Sequence, residues 1–545
     1  MQAGDYLLPY GFVARNSTTL TSRSIPSNTS TATGLINAGF RTDGTNEPSA
    51  VNTYRFTFTA LVFDNPSNTT RVAESLEEQS NTQVNTRKTS ISAKQIIATH
   101  DSPIMSVSDV NQVNVCRVRT AGTTTSPAAF LSSTSVTNTA GTLNVCFGAG
   151  GKRTYDFSSG NEFGNGMTKD SKGRFVVAGT RTVSAVQKIF VMRFNQDGSL
   201  DSSFGTDGST TLTSTVSEDA KAVVTDSSDN IYIAANRASG GGDILVVKLD
   251  STGALDSTFG TSGKFSTAVG SLNDSATAIA LDSSNRVVVV GGMTQSGGLS
   301  DSVVLRLTTA GALDTSFDTD GILTYDMTFN DIDNLAAVTI DSSNRIVVAG
   351  IVYVSQFANN FAVARINANG TFDTTFNTDG KATINFTGAD SATGIAIDSS
   401  NRIVVTGLTD QNGFDFAATR LTTAGLLDTT FGISSTAGKV RVQIVAGNFG
   451  TATSMQLDSS GRILIAGTSD PNGTGGADFA AIRLTVSGVL DTTFGTSGKA
   501  IIPVGTGVES ARASALDESG NIVLMGETVI SGTNYGIGLV NLHNP

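Results

Sequence analysis

At 545 residues the chain is longer than one hydrophobic core usually supports, so two folded regions are expected. Only 15% of it is charged, and its 58 glycines, nine prolines and lack of tryptophan suit a β protein full of turns, while a net charge of −12 makes nucleic acid an unsuitable partner. The two histidines, His100 and His543, lie far apart in sequence, which argues against a Ser-His-Asp triad, a histidine metal site or a histidine general base.

Residues 1–16 carry an aromatic and apolar cluster, Tyr6, Leu7, Leu8, Tyr10, Phe12 and Val13, that reads as the core of an amino-terminal module. The start of the chain, MQAGDYLLPYGF, lacks a charged segment followed by a long apolar one, so it does not read as a Sec signal peptide. Nowhere is there an apolar run of about 18 residues, so no membrane span is expected. Residues 16–36 read as loop. The stretch 53–63 alternates, with Tyr54, Phe56, Phe58, Ala60 and Val62 on one face, and predicts a half-buried strand. A short helix is expected over 72–81, which holds Glu74, Glu77 and Glu78, and further strands at 90–99, 103–107 and 113–118. Residues 1–120 are therefore expected to form a smaller β-sandwich-like domain that docks the chain into an assembly. Residues 121–142, mostly Ser, Thr and Ala, read as a linker. Charge divides at the same place: up to residue 142 there are ten Lys or Arg against nine Asp or Glu, so the acidity lies beyond it. Cys116 and Cys146 flank this boundary; they fit two buried free thiols or a disulfide, and two thiols do not make a zinc site.

From residue 143 onward the chain repeats. Versions of DSSNRIVVAG begin at Asp170, Asp226, Asp282, Asp341, Asp398, Asp458 and Asp517, at spacings of 56, 56, 59, 57, 60 and 59 residues. Three residues after each aspartate stands Gly173, Asp229, Asn285, Asn344, Asn401, Gly461 or Gly520, the residue types that best tolerate positive φ, so each copy marks a tight hairpin turn. The strand after the turn is apolar at consecutive positions (Ile346, Val347, Val348, Ala349) and should be covered on both faces. A third strand ends in a basic residue, and a second turn follows with Asp201, Asp256, Asp314, Asp373, Asp428 or Asp491, degenerate at 143–148 as LNVCFG. A Gly, often followed by Lys as at Gly498-Lys499, opens a fourth strand. Four strands per unit is the content of one propeller blade. The region starts with a fourth-type strand near 152–157 and stops after a third-type strand at 535–542. An open array would need a polar cap, and only His543, Asn544 and Pro545 remain, so a seven-bladed β-propeller closed by a composite amino- and carboxy-terminal blade is expected over 143–545. The whole chain is thus read as all-β.

The run LDTTFG, GK, DSSGR with its apolar strand, and DFAAIRL (Asp428 to Gly432, Gly438-Lys439, Asp458 to Gly467, Asp478 to Leu484) resembles the delta-60 repeat, a family of β-propeller repeats, over residues 143–545. The resemblance implies the fold and brings no shared activity with it.

Among candidate sites, Asp314, Asp318 and Asp320 offer oxygens at alternating positions that suit Ca²⁺, as do the similarly close Asp197, Asp201 and Asp207, and the same acids suit plain turns. No other cofactor is expected. The basic residues Arg193, Lys248, Arg306, Arg365, Arg420 and Arg483, with Leu539 in the seventh slot, form either an anion-binding ring or structural pairs with the following turn aspartates, as Arg420 with Asp428. Carboxylate catalysis would use acids that break the repeat, and Asp326, Asp331, Asp333, Asp410 and Glu509 do so without forming a pair in sequence. The expectation is a structural or interaction protein rather than an enzyme. Its amino-terminal module would join other structural proteins of a virion surface or tail, or of a cell surface, and its propeller would display a surface to a host protein or glycan, in an oligomeric assembly. A carbohydrate-active enzyme using unrepeated acids is the alternative.

Overall fold

The computed structural model describes residues 139–545, apart from 145–146, 158–159, 239–241, 296–297, 328–332, 356–357, 411–413, 434–437, 446–448, 474, 506 and 533; of residues 1–138 it describes the backbone of short strands alone. Among the described residues from 152 to 545 the strands form seven four-stranded antiparallel sheets. Blades 1 to 6 span 162–211, 218–267, 274–325, 333–384, 389–442 and 450–502, each with its strands in chain order. Blade 7 takes its first three strands from Ser510–Leu516, Ile522–Ser531 and Asn534–Leu542, and its fourth, Lys152–Tyr155, from the start of the region.

The repeated stretch makes the turn its residues call for. In blade 4, Asp341 Oδ1 accepts the backbone N–H groups of Ser343 and Arg345 at 2.9 and 2.8 Å, and Asn344 takes a φ of 61°. The strand that follows is buried on both faces over its first five residues, 346–350, because blades pack sheet to sheet. Between blades 4 and 5, Val347, Phe361 and Val363 meet Ile403, Val405 and Ala417. Phe376, from the second turn of blade 4, closes that cluster and is fully buried, a burial that contributes about 1.5–3 kcal/mol.

Each first strand carries a bulge, between Leu335 and Ala337 in blade 4 and at the equivalent place in the other six. The glycine at the end of VVAG sits opposite it: a Cβ on Gly350 would lie 2.0 Å from the carbonyl oxygen of Asn334. The extra residue of the bulge links blades. Thr277, Thr393 and Thr453 donate their hydroxyls to Leu335, Ala452 and Ala511 carbonyls in the next blade, at 2.5, 3.0 and 2.9 Å, and Asn165 does the same to Ala220 at 2.7 Å.

The ring is closed. Tyr155, Thr154, Arg153 and Lys152 pair with Ile537, Gly538, Leu539 and Val540, and the first strand of blade 7 lies beside the first strand of blade 1, Glu162–Lys169. Leu143 bridges Leu542 just as Leu427 bridges Leu421 in blade 5, and His543 exchanges backbone hydrogen bonds with Gly141 and Thr142.

By contacts, residues 1–138 with 144–151 form one unit and 139–143 with 152–545 the other. In the first unit Tyr6–Leu7, Phe12–Arg15 and Thr19–Ser22 make a three-stranded sheet, Glu77–Gln79 pairs with Val84–Arg87, and Ser90–Ser92, Gln112–Arg117 and Ala129–Leu131 make another. Glu77–Gln79 is a strand where a helix was expected: these residues pair with 84–87 instead of winding back on themselves. The expected strands at 53–63 and 103–107, the β-sandwich packing and the cysteine side chains lie outside the described residues.

Candidate functional site

Because strands alternate in direction, the hairpin turn after the first strand and the turn after the third share one end of the ring, and the remaining connections share the other.

At the turn end the charged groups are spent on one another. Arg365 Nε meets Asp373 at 2.8 Å, its other nitrogens donate to the Thr423 carbonyl of blade 5 at 2.6 Å and to Thr375 Oγ1 at 3.2 Å, and its guanidinium lies 4.8 Å from the centre of the Phe376 ring. The same aspartate takes Arg345 from the hairpin turn at 2.8 Å, and Arg345 also holds Asp341 at 2.7 Å. Arg193, Lys248, Arg306, Arg420 and Arg483 repeat the arrangement with Asp201, Asp256, Asp314, Asp428 and Asp491, at 2.7 to 2.9 Å. Of the two sequence readings, the structural pairs are therefore what the six bases form. Burial pushes the Asp373 carboxyl up, but hydrogen bonds from Thr375 and the charge of Arg365 outweigh it and hold the group at about 2. Hydrogen bonds from Thr258 and Lys248 hold Asp256 at about 2 as well.

The calcium candidates stand in this same end. Asp314 gives Oδ2 to Arg306 and Arg286 and Oδ1 to Ser316, Asp320 Oδ1 caps the N–H of Ile322, and burial with the nearby Asp320 raises the pKa of Asp318. Asp201 is likewise committed to Arg193 and Arg174, and Asp197 to Ser199. Among the described residues no group of three or more His, Cys, Asp or Glu converges as metal ligands would.

The opposite end holds a feature the sequence reading overlooked. Glu162, Glu218, Asp274, Asp333, Asp390 and Glu509 stand three residues before the bulge of their first strands, all buried. Asp333 and Glu509 were expected from sequence to break the repeat, and they do not: they belong to a ring of acids with one member in every blade except blade 6, where Gly450 takes the place. Four of these carboxylates cap the chain entering their blade: Asp390 accepts the N–H of Phe386 at 2.6 Å, Glu509 that of Val504 at 2.6 Å, Asp274 that of Val269 at 2.6 Å and Asp333 that of Met327 at 2.5 Å, while Glu218 takes Lys264, from the last strand of its own blade, at 2.7 Å. Burial raises the pKa of Glu162, Asp390 and Glu509. The signal was present: each acid precedes the hairpin aspartate of its blade at one fixed interval, but the alternation of Asp with Glu hid it. Of the other acids thought to break the repeat, Asp410 is exposed, the carbonyl of Asp326 accepts Lys381 Nζ, and Asp331 lies outside the described residues.

Along the axis, first-strand residues of all seven blades line a cavity of about 300 Å³. Its wall is mostly Ala, Gly, Thr, Ile and Met, and its one charged lining residue, Lys221, pairs with Asp219 at 2.6 Å. What differs most between blades is the connection from second to third strand at the acid-ring end, from the tight Ser184-Ala185 turn of blade 1 to the long stretch between Ser469 and Asp478 in blade 6.

A closed ring of four-stranded sheets with one uniform and one varied end defines a β-propeller repeat protein. Residues 173–204, 227–259, 283–317, 342–376 and 459–494 match the family described as "Domain of unknown function (DUF5122) beta-propeller", repeated hits that are consistent with a propeller segment of the delta-60 repeat type within 173–494. A comparison with curated proteins gives no match. Among solved structures the chain is similar to an inactive virginiamycin B lyase from Staphylococcus aureus with quinupristin, at 12% identity and a TM-score of 0.42 over 72% of this chain and 99% of that one. It is also similar to Drosophila Semaphorin 2a, at 11% identity and a TM-score of 0.43 over 72% of this chain and 75% of that one. The polysaccharide lyase Uly1 matches at 10% identity and a TM-score of 0.40, over 71% of this chain and 94% of that one.

Proposed function

We propose that the chain is a non-enzymatic interaction protein. Its amino-terminal module anchors it to other structural proteins of a larger assembly, a virion surface or tail or a cell surface, and the varied end of its propeller binds a host protein or glycan. One observation carries this reading: the two ends of the ring are built differently. The uniform end uses nearly the same turn in each blade and consumes its charges internally, while the other end changes its connections from blade to blade on the same frame. Variation concentrated at one end of a repeated scaffold is what recognition requires.

Replacing 470–477 with the Ser-Ala turn of blade 1 tests it. The variant should enter the native assembly normally and lose attachment to its target surface. Unchanged attachment would contradict the proposal. The competing reading is a carbohydrate-active enzyme; Asp415 and Asp478, whose pKa values burial raises at the varied end, favour it, although they are not the unrepeated acids expected, since Asp243 and Asp301 hold the same slot in blades 2 and 3. It would be supported by turnover on a panel of polysaccharides that Asp478→Asn abolishes.

A further inference from the structure

A second surface lies on the rim of the ring, and the repeat provides its own control. Where adjacent blades meet, a groove runs between the fourth strand of one blade and the second turn of the next. Between blades 2 and 3 it is lined by Thr261, Ser266 and Ala312 among others. The same groove between blades 5 and 6 is larger, about 790 Å³ against about 650 Å³, and there the corresponding residues are Ile433, Arg441 and Val489. The substitutions follow a pattern. The place of Ile433 is held by Thr206, Thr261, Thr319, Thr378 and Thr496 in the other complete blades, and that of Val489 by Ser199, Ala254, Ala312 and Thr371 in blades 1 to 4. Neither apolar side chain is needed to complete a blade, since other blades do without them. Both are uncovered: Ile433 is 58% exposed and Val489 42%. A repeat that sets two such side chains on the facing walls of one groove, and leaves them in water, has a partner for that groove.

The chemistry of the partner follows from the walls. One wall is the strand Lys439–Val442, the edge of its sheet, which among the described residues pairs with one neighbour and has no strand on its other side. Lys439, Arg441 and Lys499 line the floor and no carboxylate side chain does, although the chain as a whole is at −12; Arg441 also pairs with Asp415 at 3.1 Å beside the groove, and the two lysines donate to the carbonyls of Asn385, Gln443 and Ile444. Arg441 occurs where the other six blades carry Thr211, Ser266, Thr324, Thr383, Ile501 and Thr154. We infer that the groove between blades 5 and 6 docks an extended segment of a partner protein, one that alternates branched apolar residues with carboxylates and adds as a strand along 439–442. This does not rest on the role given to the varied end, which lies elsewhere on the ring.

The test uses the full chain and a capped heptapeptide with leucine at alternate positions and aspartate between them, fluorescently labelled and followed by anisotropy. Saturable binding is expected, weakening with added salt and weakened about tenfold or more by Ile433→Thr with Val489→Ala. Those replacements are the residues of other blades and should fold, which circular dichroism checks. A peptide with lysine in place of aspartate should bind at least about tenfold more weakly. No saturable binding at millimolar peptide, equal binding of the two peptides, or binding indifferent to the double substitution each overturns the proposal. So does a concentration-dependent dimer of the chain that the double substitution abolishes, because the occupant would then be a second copy.

Discussion

Replacing Asp373 by asparagine removes the carboxylate on which two arginines of blade 4 converge. Its pKa of about 2 against the ordinary 3.8 corresponds to about 2 kcal/mol of preference for the charged form. Arg345 keeps Asp341 as a partner, but Arg365, only 3% exposed, is left with a carbonyl, a hydroxyl and the ring of Phe376. Stranding a buried charge raises the cost to about 3 kcal/mol or more at neutral pH. The group is held below its unfolded pKa, so its contribution is complete above about pH 4 and is lost as the pH falls toward 2; the gap between wild type and Asp373→Asn should close over that window. Adding Arg365→Leu removes the stranded charge and should restore about 2 kcal/mol; blade 7 itself holds the uncharged Asn541 in this slot, where Leu539 was expected from sequence. With no tryptophan in the chain, urea titrations followed by far-UV circular dichroism at several pH values are the assay. A cost below about 1 kcal/mol, a gap that stays constant down to pH 2, or a double variant no better than the single one would refute the reasoning.

The acid ring should respond in the opposite sense. Burial raises the Asp390 pKa, so its charge is a liability at neutral pH that is relieved as the pH falls, and Asp390→Asn should be within about 1 kcal/mol of wild type at pH 7, or more stable, as denaturant titrations will read. Thr453→Val removes the hydroxyl bond from blade 6 to the Ala511 carbonyl and should lower the unfolding free energy, read from denaturant titration, by about 1 kcal/mol. Gly407→Ala sets a Cβ 2.0 Å from the Ser391 carbonyl and should cost about 1–3 kcal/mol while the protein still folds, since blade 2 carries Ala235 in that slot.

Much of the ring was legible because its turns are written in residues with few alternatives. Aspartate followed by Asn or Gly at a fixed offset specifies a hairpin, and the incomplete units at the two ends specified the composite blade. The acid ring was not legible as such: its members are two residue types in strands of otherwise low identity, and Asp333 and Glu509 looked like exceptions until the bulge set their register. The bulge threonines were invisible for a similar reason, since a hydroxyl that reaches the next blade looks like any other Thr in a strand. The groove between blades 5 and 6 needed the fold first, because Ile433 and Val489 lie far apart in sequence and belong to one surface only when two blades are set side by side. For residues 1–138 local alternation had to stand alone, without a repeat to check it, and at 77–79 a run of glutamates suggested a helix that strand pairing overrode.

Everything assigned to the two ends of the propeller depends on the ring being shut by Lys152–Tyr155 against Asn534–Leu542. Thr154 and Gly538 face each other in that pairing, and antiparallel partners lie about 4.5–5.5 Å apart at Cα, within reach of a disulfide. Thr154→Cys with Gly538→Cys, in a chain carrying Cys116→Ser and Cys146→Ser, should oxidise to a monomer in which one disulfide joins the peptides around 154 and 538 in a non-reducing mass map. Thiols that stay free, or bonds that form only between molecules, would contradict the closed ring.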